Sequence, residues 1–206
     1  MPCRNRYNIT MNDLTKPRKH VGFILSVAVC FTTAIATLAV AQTPAFKPLT
    51  VQSRMAVNGI GPVRIGMPLT KAIDATQVSW KVDYTLDGND CRYAHPVDAP
   101  KGADGFATLS FMVVDGVVVR AEVGARGIAT MSGVQVGDTE QKVKDTYPGK
   151  IKSQTHPYDE KGHYLIYTPT ERKDAKFRMI FETDGKVVTA YRAGRVPEVH
   201  WIEGCL

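Results

Sequence analysis

Two Asp-Gly pairs, Asp115-Gly116 and Asp184-Gly185, each interrupt a β-rich run, and they constrain the fold more than any other feature of the chain. The first is flanked by Phe111-Met112-Val113-Val114 and Val117-Val118-Val119-Arg120, the second by Phe177 to Thr183 and Lys186 to Tyr191. Asp-Gly in that setting predicts a two-residue hairpin, because both turn positions need positive φ. A second marker also recurs. Gly61-Pro62-Val63-Arg64-Ile65-Gly66-Met67 is echoed by Ser132-Gly133-Val134-Gln135-Val136-Gly137-Asp138 at an offset of 71, and the Asp-Gly pairs are 69 apart. Each segment reads as a short alternating strand, a Gly and a helix. Pro68 suits the first turn of the first helix, with Leu69, Ala72 and Ile73 on one face. Asp138, with Gln141 three residues on, caps the second, whose stripe of Val143 and Tyr147 stops at Pro148-Gly149. The expected fold is α+β, with two tandem repeats of strand, helix and antiparallel meander over 58–128 and 129–206.

The first 41 residues belong to another class. Arg4, Arg6, Lys16, Arg18 and Lys19 face only Asp13, and an apolar run follows from Val21 to Val40. It ends in Ala39-Val40-Ala41, a small-x-small site that predicts a signal peptide over 1–41 cleaved before Gln42. Translation starting at Met11 rather than Met1 would leave a leader of more usual length. The alternative is an uncleaved inner-membrane anchor over 21–40, since about 20 apolar residues can span a bilayer. Val29 before Cys30 argues against lipid attachment. Residues 42–57, with Pro44 and Pro48, read as a tether or an edge segment.

Cleavage changes both the charge and the cysteine inventory. The chain holds 26 Lys and Arg against 20 Asp and Glu, and the leader takes five of the bases and one of the acids. The remainder is near +2, so the basic balance gives no argument for nucleic acid, which needs a dense basic face. Cys3 and Cys30 leave with the leader. Cys91 and Cys205 remain, 114 positions apart, and in an oxidising compartment they are expected to pair. Two buried free thiols are the alternative. A periplasmic or secreted location follows from the leader, with no membrane span after cleavage.

The helix starts Ile65-Gly66-Met67 and Val136-Gly137-Asp138, each followed by a meander, resemble the repeat of β-lactamase inhibitory protein. They are also similar to the small lipoprotein of the outer-membrane protein assembly machinery. Cys91-Arg92-Tyr93-Ala94-His95-Pro96, Phe111-Met112-Val113-Val114-Asp115-Gly116, His156-Pro157-Tyr158 with Gly162-His163-Tyr164-Leu165, Phe181-Glu182-Thr183-Asp184-Gly185 and Glu203-Gly204-Cys205 resemble an uncharacterised family of proteobacterial exported proteins. The first two resemblances imply a fold and, by analogy, a binding style. The third implies no function.

Pairing across Asp115-Gly116 puts Leu109, Phe111, Val113, Val118, Arg120 and Glu122 on one face of the first hairpin. Thr108, Ser110, Met112, Val114, Val117, Val119, Ala121 and Val123 take the other. Both faces are apolar near the turn, which suggests an interaction surface holding Phe111 and Arg120 or packing beneath another segment. The same counting in the second hairpin puts Phe177, Met179, Phe181, Val188 and Ala190 on one face. Arg178, Ile180, Glu182, Thr189 and Tyr191 fall on the other.

The richest polar run is His156 to Tyr164. With Asp159–Gly162 as a hairpin loop, Tyr158 pairs with His163, and His156, Tyr158 and His163 share a face. As a zinc site it lacks a clear third ligand. No serine stands in Gly-x-Ser-x-Gly, and Asp87-Gly88-Asn89-Asp90 reads as a turn rather than a calcium loop. No catalytic, metal or cofactor residue is assigned. Candidate binding residues are His156, Tyr158, His163, Phe111, Arg120 and Tyr191. The function expected is an exported binding module for a protein or envelope component, either an inhibitor or an envelope accessory protein. The alternative is a small hydrolase or metal-dependent enzyme on the His156/His163 hairpin.

Overall fold

The computed structural model of the chain describes residues 49–50, 52–83, 90–98 and 108–205. Residues 1–41, read as a leader with its cleavage site, Asp87-Gly88-Asn89 and half of the segment 42–57 lie outside them. In chain order the described elements are β1 (Met55–Ala56), β2 (Gly59–Ile60), β3 (Val63–Arg64), α1 (Leu69–Thr76), β4 (Trp80–Val82), β5 (Cys91–Pro96), β6 (Leu109–Val114) and β7 (Val117–Val123). Then come α2 (Glu140–Thr146), β8 (Ile151–Thr155), β9 (His163–Tyr167), β10 (Phe177–Thr183) and β11 (Val188–Arg195). Short 3-10 turns at Arg172–Asp174 and Glu198–His200 complete the set. The fold is α+β. No helix among the described residues is long and apolar enough to cross a membrane.

β4 to β11 form one antiparallel sheet in the order β4-β5-β6-β7-β11-β10-β9-β8. Each half of the chain contributes four consecutive strands as a meander, and the halves join through β7 and β11, where Ala121 opposes Ala193 and Glu122 opposes Arg192. The helix starts dock on the hairpins by matching bonds. Gly66 N–H donates to Val118 O at 2.7 Å, and Gly137 N–H donates to Val188 O at 2.7 Å. Leu69 and Glu140 N–H donate to Gly116 and Lys186 carbonyls at 2.9 and 3.0 Å.

One sheet face carries the core. Phe111, Val113, Val118, Ala121 and Val123 meet Leu165, Phe181, Tyr191 and Ala193 there, with Ala72 of α1, Val143 of α2 and Tyr147 that caps it. Met55, Ile60 and Val63 of β1–β3 join the same cluster. Within the segment read as a tether or an edge, Met55 is fully buried, and its N–H donates to Ala129 O at 3.0 Å.

Bulges correct the face assignments in both hairpins. Met112 opposes Arg120 but Val113 opposes Val118, so Val119 is an extra residue. Glu182 opposes Ala190 but Thr183 opposes Val188, so Thr189 is extra in the second. Beyond each bulge every side chain changes face. Ala121 and Val123 turn to the core while Arg120 and Glu122 leave it. Likewise Tyr191 enters the core and Ala190 leaves. An unbulged hairpin would have buried the Arg120 and Glu122 charges beside Phe111, at a large desolvation cost.

Two local expectations are also corrected. Asp115 and Gly116 have φ of 51° and 73°, as a two-residue turn requires, but the second loop has four residues, Asp184–Val187. There the Asp184 carboxylate accepts the Lys186 and Val187 N–H groups and closes a wider turn. The cap of α2 is Thr139, whose hydroxyl accepts Lys142 N–H at 3.1 Å, while Asp138 accepts Gln135 N–H at 2.9 Å instead.

The second sheet face is not open to water. Cys91 of β5 is bonded to Cys205, with Cα atoms 5.2 Å apart. The turn Glu198–His200 packs on β7, β10 and β11. Met112 and Val119 cluster with Cys91, and Tyr164, Ile166 and Ile180 cluster with Val199. The chain end thus runs as a strap over this face.

Candidate functional site

The two histidines expected to converge do not. β8 and β9 pair Thr155 with His163 and Gln154 with Tyr164, so the connecting loop spans 156–162 rather than Asp159–Gly162. Neighbouring pairs point to opposite faces. His163 turns to the helix side, and its Nδ1 lies 2.7 Å from Glu140 Oε1. His156 turns to the strap side and stacks edge-on against Tyr164, with centroids 4.8 Å apart. Its Nδ1 accepts the Tyr158 and Asp159 N–H groups, which leaves Nε2 as the donor toward Glu182 Oε1 at 3.2 Å. Among the described residues no three His, Cys, Asp or Glu side chains group to hold a metal ion.

His163 belongs to a structural lock on α2. Thr183 Oγ1 donates to Glu140 Oε1 at 2.5 Å and accepts His163 N–H at 3.1 Å, and Lys144 holds Glu140 Oε2 at 3.2 Å. Burial raises the Glu140 carboxyl, but bonds from Thr183, His163 and Lys144 outweigh it and hold its pKa below the usual 4.5. A carboxyl depressed in the folded state stabilises the fold at neutral pH, and that contribution disappears as pH falls through its folded value. Glu140→Gln should therefore be less stable than wild type at neutral pH, with the gap closing on the acid side of 4.5. Urea unfolding across that range measures it; a constant gap would contradict the assignment.

Three of the other candidates are interior. Phe111 is fully buried and stacked on Trp80 at 4.9 Å. Tyr191 is in the core, its hydroxyl donating to Ile128 O at 2.8 Å, and burial raises its pKa. Arg120 is 2% exposed and ties the strap to the sheet. Its Nη1 donates to Glu198 O at 3.0 Å and Trp201 O at 2.7 Å, Nη2 to Tyr93 OH at 2.7 Å and Nε to Glu122 Oε1 at 2.6 Å. Burial, and then the Glu122 charge, push Tyr93 up to about 12. Arg192 repeats the device: Nε donates to Val199 O at 2.9 Å, with the guanidinium 4.9 Å over the Tyr164 ring. The last carbonyls of a short helical turn need donors from beyond it. Arg192 supplies Val199 O and Arg120 supplies Trp201 O, while Glu198 O accepts Trp201 N–H as well as Arg120 Nη1. Gly204 lets the strap lie this low. Its φ is 70°, and a Cβ there would come 2.5 Å from Tyr93 OH.

Tyr158 alone of the expected set stands open, at 71% exposure, and it lines a cleft of about 590 Å³ at the strap. Asp90, Cys91, Val114 and Asp115 line it together with His200 to Cys205. Six large apolar side chains are exposed among the described residues, and three of them, Tyr158, Trp201 and Ile202, line this one cleft. Burial, and then the charges of Arg178 and Arg192, lower the His200 pKa. That keeps it neutral at neutral pH. The strap residues gave no pattern in the sequence; the only hint was the concentration of Trp201 and Ile202 next to Cys205.

No protein family and no curated protein is matched by this sequence. Among solved structures the chain is similar to the uncharacterized protein yfeY from Escherichia coli, at 16% identity and a TM-score of 0.45, over 69% of this chain and 99% of that one.

Proposed function

We propose that the protein is an exported binding module that docks a protein or envelope component on the cleft at the strap. The observation that carries this is the convergence of Tyr158, Trp201 and Ile202 on one concave site. Clustered exposed apolar side chains, two of them aromatic, fit an interface rather than a solvated surface. The Cys91–Cys205 bond supports export to the periplasm or beyond, since such bonds persist in oxidising compartments. The matching docking of α1 and α2 on their hairpins supports two tandem repeats over 58–128 and 129–206 as the scaffold. An enzyme on His156 and His163 would need both imidazoles at one site, and the sheet separates them.

Immobilised oxidised protein is expected to retain one envelope component that a Tyr158→Ser/Trp201→Ser variant does not. Both substitutions lie at the rim, so the variant should unfold with an unchanged midpoint. Identical retention by wild type and variant would remove the cleft from the proposal.

A further inference from the structure

Resting on the docking reading above, the next question is what chemistry the cleft selects. Three of its lining side chains are carboxylates, Asp90, Asp115 and Glu203, and no Lys or Arg lines it. Asp90 is 74% exposed and only 3.9 Å from Arg92, a loose pair. Among the described residues neither Asp115 nor Glu203 is in an ion pair. His200 is neutral for the reasons given above and adds no positive charge beside Asp115 and Glu203. This local acidity stands on a chain with more basic than acidic residues, 26 against 20. It is therefore a property of the site, not of the composition. The carboxylates share their cleft with two aromatic rings, Tyr158 and Trp201, and with Ile202.

We infer that the cleft takes an arginine or lysine side chain presented by an apolar stretch of a protein partner. Charge complementarity selects the cation. An aromatic face attracts a guanidinium or ammonium within about 6 Å of its centroid, while Ile202 and Val114 accept apolar neighbours. A carboxylate-bearing partner would meet like charges among the lining residues and be rejected.

The test uses two acetylated, amidated peptides, Leu-Arg-Leu-Arg and Leu-Gln-Leu-Gln, titrated into the oxidised full mature protein and followed by NMR. The arginine peptide should shift the Trp201 indole N–H and the Asp115 and Glu203 amides. Its affinity should exceed that of the glutamine peptide by about ten-fold, the size a few partly exposed ion pairs supply, and the advantage should shrink with added salt. Asp115→Asn/Glu203→Gln should erase the preference. Asn tolerates the positive φ of position 115, so the fold survives and the spectrum verifies it. Equal binding of the two peptides at the cleft overturns the cationic selection and leaves the docking reading standing. Failure of both to move the cleft resonances also overturns it, and the docking reading is then decided by the retention experiment, which uses no peptide. Concentration-dependent shifts at Trp201 without peptide identify a second copy as the occupant and overturn it too.

Discussion

Cys91→Ser/Cys205→Ser is expected to lose about 2–5 kcal/mol of stability, the usual cost of removing a native disulfide from a small domain. The bond closes 114 residues, and loop entropy for a ring near that size approaches the top of the range, at about 4.7 kcal/mol. The loss should also be uneven. Without the bond, the strap is held by carbonyls on Arg120 and Arg192 and by Val199 against Tyr164, Ile166 and Ile180. Hydrogen exchange should accelerate in 198–204 and along β7 before it does in α2 and β9. Urea unfolding of wild type and double variant gives the magnitude. An unchanged midpoint would mean that the strap is secured by its contacts alone.

Arg120→Met should be comparably damaging, at about 3–5 kcal/mol, because removing one partner of a buried ionic network leaves the other uncompensated. Glu122 and Tyr93 lose their shared donor, the Trp201 carbonyl loses its own, and Glu198 O is left with Trp201 N–H alone. Arg120→Lys should not restore stability, since an ammonium cannot reach four partners in the planar fork of a guanidinium. Adding Glu122→Gln to Arg120→Met should recover part of the loss. Denaturant midpoints of the three variants test this, and a loss under about 1 kcal/mol in Arg120→Met, typical of an exposed pair, would contradict the network.

What the sequence made legible was local. Asp115-Gly116 announced its turn, Pro148-Gly149 ended α2, and Cys91 and Cys205 paired as expected. The bulges at Val119 and Thr189 were not legible, because an extra residue in a β-rich run leaves no compositional mark. That one-residue shift moved Arg120 from an expected interaction face to the underside of the strap, and Tyr191 into the core. The histidine hairpin failed for a related reason. His156 N–H bonds to Gly162 O, and His163 pairs with Thr155 instead of Tyr158, an odd shift of three that sends the two imidazoles to opposite sides. The cleft was least legible of all, since its walls come from residues near 90, 115, 158 and 202 that only the folded sheet and the strap bring together.

The docking proposal is tested most directly by site-specific photocross-linking in a cell envelope. A benzophenone side chain placed at position 158 or 201 should cross-link the same single component. At position 131, where Met131 is equally open at 69% exposure but outside the cleft, it should not. Cross-linking that is absent from 158 and 201, or no different from that at 131, would contradict the assignment of the cleft as the binding surface.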